Sequence, residues 1–236
     1  MMSMWLSYIS KNAVVWMIIL TSGSIYAQKE YGIRAGIDLS KLVRSELQKG
    51  YTGFEIFGDL TLKDKTKIAV EIGSETFDTN EAIDTNLLYS YQVSGEYLKL
   101  GIDWEIYQRK PGERNQITAG VRYVISSFKI NQGTTNFYDT AWVQRYGEFP
   151  NFRLEGPSHN GLSASYLEGV LGFKTHLTKQ LYLGGSFRMG FLVGQKEPEN
   201  FDNLWIPGFN RVTDGARFGF SYNYGLSYYL PIKKNR

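Results

Sequence analysis

Tyr31-Gly32-Ile33-Arg34-Ala35-Gly36-Ile37-Asp38-Leu39-Ser40 changes character at every step. Tyr31, Ile33, Ala35, Ile37 and Leu39 form an apolar row, and Gly32, Arg34, Gly36, Asp38 and Ser40 form a small or polar one. A period of two is that of a β-strand, whose successive side chains point to opposite faces. Seven further stretches repeat the pattern, and no apolar row carries a charge.

The second stretch runs from Thr52 to Leu62, with Phe54, Ile56, Leu60 and Leu62 on its apolar side. After a turn at Lys63-Asp64-Lys65-Thr66, Ile68, Val70 and Ile72 continue the pattern. Leu98, Leu100, Ile102, Trp104 and Ile106 then face away from Lys99, Gly101, Asp103 and Glu105. Ile117 to Ile125, Leu167 to Leu177, Leu181 to Phe191 and Phe218 to Leu230 complete the set. Residues 63–66, 108–114 and 178–180 read as short or moderate turns, and 78–90, 131–165 and 193–214 as long loops. Eight strands with short and long connections in alternation predict an all-β, up-and-down, antiparallel transmembrane β-barrel, with the short turns periplasmic.

The N-terminus points the same way. Lys11 precedes the apolar run Ala13 to Leu20, and small and polar residues lead to Ala27. This is the layout of a signal peptide, expected over 1–27 with the barrel over 28–236. Asn12 to Gln28 is uncharged but strongly apolar only in its first half, a marginal length for an anchor. Removing 1–27 leaves 25 basic and 23 acidic residues, a balance that does not suggest a nucleic-acid partner. With no cysteine, neither disulfides nor thiolate metal sites are available. The mean hydropathy of −0.30 is no obstacle, because only alternate residues of such a barrel meet lipid.

Periodicity alone does not say which row faces inward; a soluble barrel would bury the apolar one. The leader, the uncharged apolar rows and the aromatic content (17 Tyr, 14 Phe, 5 Trp) favour a bilayer. A lipid-facing Arg or Lys at mid-depth costs ~2–4 kcal/mol, which explains eight clean rows. The expected location is the outer membrane of a Gram-negative bacterium, with its lipid as one partner.

An eight-stranded barrel is just wide enough for side chains to fill. The inward rows place the acids Asp38, Glu55, Asp59, Glu71, Glu75, Asp103, Glu105 and Glu168 opposite Arg34, Lys67, Lys99, Arg122, Lys174, Arg188 and Arg217. Glu71 and Asp103 are expected to meet Arg122 and Arg188 near mid-depth, forming a salt-bridged plug. The rival is a narrow channel or small-solute barrel lined by charge.

Catalysis has little to rest on. His176 falls at a strand end, and His159 sits in the turn-like Gly156-Pro157-Ser158-His159-Asn160-Gly161. No nucleophile motif, metal-ligand spacing or phosphate-cradling loop appears, so no catalytic residue, metal or cofactor is assigned. A lipid-modifying enzyme is the least favoured reading. Loop four, Phe201 to Arg211, is too aromatic for a disordered segment. Phe201, Asn203, Trp205, Ile206, Phe209 and Arg211 form either a self-packed cap or a recognition surface. Loop three adds Phe137, Tyr138, Trp142, Tyr146, Phe149 and Phe152.

Tyr31 to Lys41, Tyr51-Thr52-Gly53-Phe54-Glu55, Tyr97 to Asp103 and the loop-four string together resemble one family of uncharacterised Bacteroidota outer-membrane β-barrels, a domain of unknown function. The resemblance covers essentially the mature chain, with loop four its most distinctive part. It implies location and fold and carries over no activity. The expectation is a non-enzymatic barrel serving as an accessory, structural or binding subunit of an outer-membrane assembly. Its partner would be another envelope protein or a surface lipoprotein, bound through the aromatic extracellular loops.

Overall fold

The computed structural model describes residues 31–63, 66–83, 86–107, 113–137, 152–178, 180–198, 202–212 and 217–232. The leader expected over 1–27 lies outside the described residues.

The chain folds as β1 (Gly32–Asp38), α1 (Leu39–Leu47), β2 (Tyr51–Lys63), β3 (Thr66–Ile83), β4 (Asn86–Glu105), β5 (Gln116–Phe137), β6 (Phe152–Glu155), β7 (Ser158–His176), β8 (Leu181–Gln195), β9 (Trp205–Ile206), β10 (Asn210–Arg211) and β11 (Phe218–Pro231). Each barrel strand pairs antiparallel with its sequence neighbour, and β1 closes the ring by pairing with both β2 and β11. The short β6 continues β7 along β5, with Gly156 and Pro157 between them. The ring therefore has eight strands, the architecture of outer-membrane β-barrels.

Polarity along a strand explains how this ring sits. Outward positions of β4 read Leu98, Leu100, Ile102 and Trp104, all exposed, while Lys99, Asp103 and Glu105 are buried inside. Farther from the N-terminal end the rows exchange character. Gln92, Ser94 and Glu96 now face out, and Tyr91, Val93 and Tyr97 are buried. β5 does the same, with Tyr123 and Ile125 outward below Ser127 and Lys129, and Arg122 inward below Val124, Phe128 and Ile130. One half is thus apolar outside and charged inside, as lipid demands. The other half has an ordinary hydrophobic core and a polar surface, as water demands. We call that second half the crown.

The inversion corrects the expected loops. The apolar-out alternation holds only through the lipid-facing half, which is why 78–90 and 131–165 resemble loops in sequence. β3 in fact runs to Ile83 and β4 resumes at Asn86, while β5 runs to Phe137 and β7 starts at Ser158. His159 accordingly lies in a strand, opposite Ile130. The expected extension of strand one to Ser40 is also corrected, since the strand ends at Asp38 and a helix follows. Asp38 is its N-cap, accepting from the Ser40 N–H at 2.7 Å and the Lys41 N–H at 3.4 Å. Leu42, Val43 and Leu47 of α1 are exposed, while Lys41 and Ser45 bond to the barrel and Arg44 to Asn210 of loop four. Asp38→Ala is expected to cost about 0.5–2 kcal/mol through the lost cap. Faster hydrogen exchange at the first amides of α1, with the barrel strands unchanged, is the readout.

Candidate functional site: the filled lumen and its mouth

The lumen holds seven carboxylates (Glu55, Asp59, Glu71, Glu75, Asp103, Glu105, Glu168) ion-paired with seven cations (Arg34, Lys41, Lys67, Lys99, Arg122, Lys174, Arg188) among the described residues. Cross-strand alternation aims all the strand residues among them inward, and their burial leaves pairing as the way to keep them charged. At mid-depth Arg122 reaches Glu71 at 3.1 Å and Asp103 at 2.8 Å. Arg188 reaches Glu71 at 2.5 Å, Glu168 at 3.3 Å and Glu55 at 3.9 Å. All four residues singled out for the plug come together, though Arg188 binds Glu71 and Glu168 rather than Asp103. Toward the N-terminal end a second group joins Asp59 to Arg34 and Lys174, and Lys67 to Glu105. Arg34 also lies 4.8 Å from the Tyr182 ring. A pocket of about 60 Å³ lies among Asp59, Glu71, Asp103 and Arg122, room for a few waters.

Asp38 faces inward and is buried as expected, but its carboxylate caps α1 rather than joining a salt bridge, while Arg217, expected in the lumen, is exposed just before β11. Lys41 joins the lumen instead, donating to Glu75. Lys41→Met would leave the buried Glu75 without an ion-pair partner among the described residues and is expected to cost about 3–5 kcal/mol. Urea unfolding at neutral pH measures it.

At the crown end the lumen is closed by loop four. β9 and β10 form a small hairpin, and Trp205, Ile206 and Phe209 are 4%, 0% and 4% exposed. The Trp205 ring stacks on Phe77 at 4.1 Å and meets Tyr51 edge-on at 6.3 Å. Phe209 contacts Tyr166 at 4.9 Å and fills the space left by two paired glycines, Gly190 and Gly219. A Cβ at either would come within 2.8–2.9 Å of its ring. Gly208, at φ +81°, donates its N–H to Glu75 at 3.0 Å, and a Cβ there would strike Tyr166 and Tyr97. Asn203 is buried and donates to Gln195 Oε1 at 3.1 Å and Lys196 O at 3.2 Å. Arg211 is exposed. Phe201 lies outside the described residues, as do Tyr138, Trp142, Tyr146 and Phe149 of loop three.

Sequence reasoning missed α1 and its polar side chains. Arg44 lies over the rings of Tyr51 (4.0 Å) and Trp205 (5.0 Å) and donates to Asn210 Oδ1 at 3.1 Å. The signal was present: Leu39, Val43 and Leu47 recur at helical spacing behind an Asp N-cap.

A family model described as "Domain of unknown function (DUF6048)" matches residues 1–235. No curated protein matches the chain. Among solved structures it is similar to Ail, the attachment invasion locus protein of Yersinia pestis, at 10% identity over 86% of this chain and 99% of that one, TM-score 0.41. Acinetobacter baumannii CarO gives 10% identity over 85% and 98%, TM-score 0.41. A major outer membrane protein from Thermus thermophilus gives 10% identity over 87% and 100%, TM-score 0.37.

Proposed function

From the geometry of this chain, which belongs to the DUF6048 family, we propose a non-enzymatic barrel of the Gram-negative outer membrane that serves as an accessory or binding subunit of an envelope assembly. The observation that carries the reading is closure at two levels. Paired charges fill the lipid-facing half, and the loop-four hairpin covers the mouth, leaving a gap only to the side, between α1 and β11. A lumen so filled supports a scaffold over a conduit.

The crown is the working part in this reading. Its long hairpins bury their own apolar face and stand above the membrane, offering a polar outer wall to another envelope protein or surface lipoprotein. The loop-four aromatics act by holding that wall in shape from within, and the exposed Arg211 and the neighbouring loops meet the partner.

The test is a native pull-down of the tagged barrel in mild detergent, beside planar-bilayer recordings. A partner kept by wild type and lost from a Trp205→Ala/Phe209→Ala variant, with silent bilayers at all voltages, supports the proposal. A barrel that purifies alone, or that conducts steadily, removes it.

A further inference from the structure

β1 has seven residues, fewer than the 9–11 or so a tilted strand needs to cross a bilayer. β11 accordingly has a β1 partner only from Gly225 to Pro231, while β8 pairs with its other edge from Phe218 onward. The ladder shows which groups are left over. Ile232 donates toward Tyr31 O at 2.7 Å, whereas Tyr229 donates the other way, to Gln180 O at 2.8 Å. Backbone direction alternates along a strand. The N–H and C=O groups of Phe218, Phe220, Tyr222 and Tyr224 therefore point into the seam above β1, where no hydrogen bond reaches them among the described residues. Their side chains belong to the outward apolar belt, with Phe220 75% and Tyr222 71% exposed. At lipid depth each unmade backbone bond costs several kcal/mol, so the seam calls for a polar occupant.

α1 closes only one side of it. Ser45 Oγ accepts the Gly53 N–H at 2.8 Å, sealing the free edge of β2. Between α1 and β11 a cavity of about 670 Å³ remains. Arg44 and Arg211 line it, and neither is ion-paired with a carboxylate among the described residues. Glu55, also lining it and 1% exposed, has an Oε1 that accepts no hydrogen bond; Arg188 Nη2 is 3.9 Å away. Val43, Leu47 and Phe220 give it an apolar rim.

We propose that the seam between α1 and β11 binds the headgroup of a phosphorylated lipid that also carries hydrogen-bond donors. Arg44, Arg211 and the free β11 N–H groups take the phosphate. Glu55 takes a hydroxyl or amine of the headgroup, and the acyl chains descend past Leu47 and Phe220. The occupant is a lipid because the opening is lateral and lies in the apolar belt. This goes beyond the assembly reading and shares with it the membrane placement and Arg211; it needs no protein partner, so failure of the pull-down leaves it standing.

Native mass spectrometry of the purified full chain tests it, with equimolar lipid A, phosphatidylethanolamine and phosphatidylcholine in the micelles. Lipid A or phosphatidylethanolamine should be retained over phosphatidylcholine, whose headgroup has no donor. Arg211→Gln should weaken retention about tenfold, the loss of one charge-assisted hydrogen bond. Arg44→Gln/Arg211→Gln should abolish it. Arg44 stacks at the mouth, so the exposed Arg211 variant decides the matter if the double variant misfolds. Equal retention of all three lipids, retention unchanged by Arg211→Gln, or inorganic phosphate binding as tightly as the lipid would overturn the proposal.

Discussion

Arg188→Met is expected to cost about 3–5 kcal/mol of barrel stability, because it strands buried charge rather than merely deleting a contact. Three carboxylates lie within 4.0 Å of this guanidinium. Glu71 keeps Arg122, and Glu168 keeps Lys99, but Arg188 is the one ion-pair partner of Glu55 among the described residues. Adding Glu55→Gln should therefore recover part of the loss, since a neutral amide is less costly to bury than an unpaired carboxylate. Urea unfolding in lipid vesicles measures both variants. A single variant within about 1 kcal/mol of wild type would show a lumen hydrated enough to tolerate free charge.

Phe209→Ala is expected to release loop four while leaving the barrel intact. Truncating a buried Phe costs about 3–5 kcal/mol, and here the cost falls on a short hairpin held by side-chain packing. Local opening at that energy exposes the backbone near Arg211, so trypsin cleavage there should accelerate by roughly a hundredfold or more. The urea midpoint of the barrel should barely move. Gly190→Val offers an independent route to the same state, because its side chain would occupy the Phe209 ring position. If neither variant speeds cleavage, the hairpin is held by Gly208–Glu75 and Asn203 rather than by the aromatic plug.

How much was legible depends on which solvent each residue faces. In Leu98 to Ile106 the alternation is unbroken because lipid on one side and paired charge on the other make opposite demands at every step. In Gln92 to Tyr97 the same strand continues with the demands reversed, and the pattern looks like a loop. Pairing of Glu71 and Asp103 with Arg122 followed from their inward register and depth. Choosing Glu168 and Glu55 as the other partners of Arg188 required knowing strand tilt and rotamers, which alternation does not encode.

By itself the sequence determined the eight-stranded barrel, the face its charges occupy and the aromatic content of loop four, because period-two patterning is a local response to burial. Tertiary structure alone decided that loop four turns inward, that Gly190 and Gly219 open a socket for Phe209, and that α1 replaces the upper part of β1. Those outcomes depend on volumes and unpaired backbone groups contributed by segments far apart in the chain, and no local pattern carries that information.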